Sequence, residues 1–158
     1  MVECLRLLSL LASQAELNEF YVSFHKRLIV NVCLPLIRTT QNEIDNFEND
    51  PFDFVQLAAD TCADQLSAVT KTQAVHLLDH ICDFVDGAVS FIAMHLYSLM
   101  EYSLLCNNIE EIPSKYPSLN DFANCLLLRA TPPKIRLETC LLALTSLSYH
   151  IAQRSDLV

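Results

Sequence analysis

Residues 70–105 read TKTQAVHLLDHICDFV-DG-AVSFIAMHLYSLMEYSLL, and this stretch decides the fold. In its first half Val75, Leu78, Ile81, Cys82 and Val85 recur at intervals of three and four, the spacing that lines one face of an α-helix. Asp86-Gly87 then breaks the pattern. Gly87 is the single glycine of the chain, and glycine is the residue that takes the left-handed conformation just past a helix end without a Cβ penalty. Residues 88–105 resume as a long apolar helix. The stretch therefore predicts two helices joined by a turn at Gly87.

The same unit extends outward. A helix is expected over about 2–12 and another over about 16–38, where Phe20, Phe24, Leu28, Val32 and Leu36 keep to one stripe. Pro35 sits near the end of the second, placed to kink or stop it. Residues 39–50 are polar and are expected to form an acidic, non-helical link. Asp50-Pro51 then opens a helix to about residue 65, with Asp50 as N-cap, Pro51 in the first turn and Asp53 favourable to the positive helix end. Residues 107–118, with two prolines, read as a loop. Helices over about 119–129 and 134–153 follow, separated by Thr131-Pro132-Pro133.

The helix pairs, at about 2–38, 51–85, 88–105 and 119–153, recur near the roughly 40-residue period of HEAT repeats. Each pair leaves an apolar face that only a stacked neighbour can bury. The expected fold is one all-α domain, a HEAT-type α-solenoid of antiparallel helix pairs. Composition agrees: 52% of the residues are hydrophobic, and one glycine leaves little supply for β-hairpin turns. No alternating β-branched runs occur.

Ten Lys/Arg against nineteen Asp/Glu give a charge of −9. This balance argues against nucleic acid, which requires clustered positive charge, and against anionic membrane surfaces. It favours basic proteins as partners. The seven cysteines are dispersed, odd in number and set among leucines, with no CxxC pair. They read as reduced core thiols of a cytoplasmic or nuclear protein. Glu3 and Arg6 interrupt any signal-peptide core, and no uncharged run reaches the length of a membrane span. The chain begins inside an amphipathic pattern, as a fragment of something longer would.

His76 and His80 share a helical face at the i, i+4 spacing that zinc sites use, near Asp79 and Asp83. Leu77 stands where a zinc protease carries its general-base Glu, and no third ligand is evident, so an ordinary polar face is expected. His25, His95 and His150 read as packing residues. One glycine excludes a glycine-rich phosphate loop. No catalytic, cofactor or metal residues are assigned, and protein binding is expected rather than catalysis. The acid distribution is more informative. Residues 39–70 hold seven Asp/Glu and no Lys or Arg. This is either a solvated face or a docking surface for basic protein, in which case Glu43, Asp45, Glu48, Asp50 and Asp53 are its candidates, with Pro51 and Gly87 as structural residues.

Two segments carry a resemblance to a known family. Leu28-Ile29-Val30-Asn31-Val32-Cys33-Leu34-Pro35-Leu36-Ile37 ends a helix in an apolar Pro-Leu segment, and Phe47-Glu48-Asn49-Asp50-Pro51-Phe52-Asp53-Phe54-Val55 opens the next repeat. They resemble the importin-β superfamily of nuclear transport receptors, in the branch of importin-7, importin-8 and the exportin for importin-α. Asp50, Pro51, Asp53, Phe54 and Val55 fit the acidic element of that branch. Ala74 to Asp83 with Asp86-Gly87 resembles the helix pair that follows. The resemblance covers about residues 20–105, and residues 107–158 match only in helical character. It implies a mid-solenoid segment that binds basic protein cargo, with the Ran GTPase and nucleoporins engaged through the full-length receptor. The alternative is a HEAT scaffold or regulatory subunit without a transport role.

Overall fold

The computed structural model describes residues 1–52, 66–105 and 112–153, and every regular element among them is helical. Helix α1 is Val2–Ala12, followed by a 3-10 turn at Ala15–Leu17. Helix α2 (Asn18–Leu28) runs through a π turn (Ile29–Cys33) into α3 (Leu34–Ile37). Then come α4 (Gln41–Asn49), α5 (Leu66–Phe84), α6 (Ala88–Leu105), α7 (Pro117–Asn120), α8 (Leu126–Arg129), α9 (Pro133–Ser146) and α10 (Ser148–Ala152).

The hairpin that the opening stretch predicts is present. Gly87 has φ +81°, the one positive φ among the described residues, and Ala88 starts α6 directly after it. The predicted face of α5 is the buried one: Leu78, Ile81, Cys82 and Val85 are inside, joined by Ala74 and Leu77, while Val75 is partly buried. Helix α5 is central. It packs most extensively against α1, also against α3, and α6 packs most extensively against α9. Helix α1 thus finds its main partner across the fold rather than in its chain neighbour α2, which departs from the expected pairing within 2–38.

The stripe expected on α2 requires correction. Phe20 and Phe24 are 47% and 42% exposed and stack on each other at 4.7 Å, while Leu28, Val32 and Leu36 are only partly buried. The core line lies one residue over, through Tyr21, His25, Ile29, Cys33 and Ile37. Two polar groups make that burial tolerable, because each finds a partner. Tyr21 donates its hydroxyl proton to Leu8 O at 2.6 Å, and His25 Nδ1 lies 2.8 Å from Val22 O. The π turn precedes Pro35, whose ring cannot donate to Asn31 O. There Leu34 N–H reaches back to Ile29 O, and Arg38, with ψ 130°, ends the rod.

Two further expectations change. Residues 39–50 are not an irregular link, because α4 occupies Gln41–Asn49. The helix expected over 119–129 is two single turns, α7 and α8, with Cys125 extended between them at ψ 138°. Asn120, Asp121 and Asn124, residue types that favour turns over helix interiors, fall in this stretch. Pro117 starts α7 inside the stretch expected to be loop. Arg136 of α9, 2% exposed, fixes this region by donating to Leu128 O (3.0 Å), Thr131 O (2.8 Å) and Ser103 Oγ of α6 (3.0 Å).

Two stretches, Glu19–Asn49 and Ala88–Leu105, are long and apolar enough to meet the length and composition of a membrane span, which reading uncharged runs alone did not register. Core helices meet the same criteria, and Ile92, Leu96 and Leu99 of the second are buried here.

Candidate functional site

Helix α4 carries most of the candidate acids, and its own chemistry explains why it forms. Thr40 and Glu43 make a capping box. Glu43 N–H donates to Thr40 Oγ1 at 3.3 Å, and Thr40 N–H donates to Glu43 Oε2 at 2.6 Å. Ile44 is 5% exposed and anchors the helix to the fold.

The acids do not stand as equals. Glu43 is turned inward: Lys71 of α5 donates to its Oε1 at 2.5 Å. Burial by itself would push the Glu43 carboxyl up, but the bonds from Lys71 and Thr40 outweigh it and hold the group below the usual carboxylate range. Glu48 accepts from Lys134 of α9 at 2.6 Å. Both side chains are exposed, so solvent screens this pair and it adds little to stability. Asp45 accepts from Gln41 Nε2 at 2.7 Å and is otherwise presented to solvent. Asp50 Oδ1 accepts from Phe52 N–H at 3.1 Å, the kind of contact an N-cap makes, while the helix expected to follow to about residue 65 lies outside the described residues beyond Phe52. Asp53 lies outside the described residues. Glu43 is therefore committed to the fold and unsuited to docking, while Asp45, Glu48 and Asp50 remain exposed. The structure adds two side chains that the charge pattern did not single out: Phe47 and Phe52, 49% and 72% exposed among these acids. Spacing gave no signal of their exposure, since Phe47 stands three residues and Phe52 eight residues from the buried Ile44, intervals that read as the same helical face.

The histidines fall into different roles. His76 is exposed, and His80 stacks on Phe84 at 6.2 Å. His150, expected to be a packing residue, instead faces α5, with Nε2 3.6 Å from Asp79 Oδ1 and Nδ1 3.6 Å from Asp83 Oδ1. The ring lies between the two carboxylates and presents a different nitrogen to each, so the three do not converge on one point. Among the described residues no group of three His, Cys, Asp or Glu could hold a metal ion. No spacing signal could have found this contact, since its partners lie 67 to 71 positions apart.

His95 is 3% exposed and lines a small apolar cavity with Val30, Leu99, Phe122 and Cys125. Burial pushes its pKa down to about 4, and burial raises the Cys125 thiol, which donates to Val30 O at 3.5 Å. Both groups are thus neutral near pH 7. That state suits packing and leaves no thiolate–imidazolium pair.

No protein-family model, no curated protein and no solved structure matches this chain. The likeness to nuclear transport receptors thus rests on the quoted residues alone.

Proposed function

We propose that the chain is a HEAT-type, protein-binding segment of a nuclear transport receptor, and that α4 with the cap after it receives basic protein cargo. The observation that carries this reading is the exposure of Phe47 and Phe52 among Asp45, Glu48 and Asp50. Aromatic side chains supply the contact energy of interfaces, and surrounding charge steers and orients the partner. A purely solvated acidic face needs no exposed aromatics. The hairpin turning at Gly87 supports the HEAT assignment, and the Asp50-Pro51 cap supports the likeness to transport receptors.

The test is the binding of a Lys/Arg-rich peptide carrying apolar residues, followed by its association rate at low and physiological salt. Binding should weaken as salt rises, since the Debye length falls to roughly 8 Å at physiological ionic strength. Asp45→Lys should slow association several-fold, and Phe52→Ser should speed dissociation; neither disturbs the Thr40–Glu43 cap. Unchanged binding in both variants would make the surface a solvated face. Retention of the full-length receptor on Ran-GTP and on nucleoporin FG repeats separates transport from a scaffold role.

A further inference from the structure

The last described helix, α10, rests lightly on α6 and on the end of α9. Helix α10 has no buried residue; Leu147 before it is buried, and Ile151 is partly buried against the core. Between these, His150 turns its ring into the fork made by Asp79 and Asp83, which stand four apart on α5. A neutral imidazole has one N–H and one lone pair, so one carboxylate in this fork would face the lone pair. The imidazolium offers an N–H to each. We infer that His150, held between Asp79 and Asp83, is a proton-operated latch that docks α10 on α5 when the ring is charged and loosens it when the ring is neutral.

The surroundings favour this sign. On α5, Asp79 and Asp83 face the His150 ring, while His76 and His80 act on the Asp79 carboxylate; on its own helix, the Tyr149 ring is 5.8 Å away. The charged groups of the neighbouring helices are engaged elsewhere. On α6, Glu101 pairs with Lys115, and His95 lies among Phe91 and Phe122. On α9, Lys134 meets Glu48 with Glu138 nearby, and Arg136 meets Ser103. Asp79 is pushed up by burial, and His150 is foremost among the groups pulling it back, so the two charges depend on each other. His76 and His80 oppose the latch only when they too become charged. Contact is therefore made below the pH range in which the imidazole loses its proton and above that of the carboxylates. It is lost as pH rises and the ring becomes neutral.

The experiment follows the backbone amide signals of residues 148–152 and the His150 ring carbon signal by NMR, across about pH 5 to 8. Both should move in one transition, with the docked fraction several-fold higher on the acidic side. His150→Gln should make the α10 amides indifferent to pH. Asp83→Asn, at a half-exposed site that leaves the core intact, should shrink their response. Amides that ignore the His150 transition, or that shift equally in His150→Gln, would overturn the latch.

Discussion

At the scale of the residue, Gly87 shows how a single backbone angle can hold two long helices in place. Its φ of +81° belongs to a region that a side chain disfavours, yet a Cβ built there would meet no atom within 4 Å. Space is not the constraint; backbone strain is. The left-handed conformation costs an L-residue about 1–2 kcal/mol, least for Asn, and a β-branched side chain fits it worst. Thermal unfolding should rank Gly87 above Asn, then Ala, then Val, with Gly87→Val destabilised by about 1 kcal/mol or more. A Val variant that melts with the parent would show that the turn relaxes to a negative φ. Steric crowding would give a different signature, a dependence on side-chain volume with Asn no better than Leu.

At the scale of the element, α4 holds together through three side chains on two helices. Thr40 and Glu43 cap it, and Lys71 binds the same carboxylate from α5. Thr40→Ala should cost about 1 kcal/mol, the usual value of a lost N-cap. The Glu43 pKa is lowered in the folded state, so its contribution is present above the unfolded glutamate range, about 4.3, and is lost as pH falls through the folded value. The stability gap between the parent and Glu43→Gln should thus be constant near neutrality and close below about pH 4, as chemical denaturation at several pH values can measure. A gap that persists unchanged in acid would assign the effect to packing. This helix also marks where sequence reading stops. Its Thr-x-x-Glu signature was legible, but a run of acids with one apolar anchor resembles a loop when only apolar periodicity is followed. The Gly87 hairpin was legible because its apolar spacing and its glycine gave the same answer. On α2, two adjacent lines both carry residues at intervals of four, and what selects between them is tertiary: the Tyr21 bond to Leu8 and the π turn before Pro35. The acidic candidates were found by charge, but their sorting into cap, bridge and exposed face depends on Lys71 and Lys134, brought in from α5 and α9.

At the scale of the whole molecule, the cysteines report on global stability, because most of those described sit where only unfolding reaches them. Cys33 and Cys140 are fully buried, and burial pushes both thiols up to about 12; Cys82 and Cys125 are also inside, while Cys4 is exposed. Two factors then multiply against reaction in the native state. A thiol with a pKa of about 12 is roughly 0.01% thiolate at pH 8, and the reagent cannot reach it without opening the core. On unfolding both factors vanish together, since the thiol returns to its ordinary range and its neighbours disperse. A brief pulse of alkylating reagent on the native chain should therefore modify Cys4 and leave Cys33 and Cys140 unmodified, as peptide mass mapping would show. Raising urea should release those two in one cooperative step that coincides with the loss of helical circular dichroism, because both belong to the one core that α5 organises. In fully unfolded protein without reductant all seven cysteines of the chain should be modified, as dispersed, reduced thiols require. Separate transitions for Cys33 and Cys140 would divide the molecule into two independently opening parts, with the α1–α5 packing on one side and the α6–α9 packing on the other. Recovery of protected pairs in the unfolded chain would instead place the protein in an oxidising compartment, against the nuclear and cytoplasmic reading.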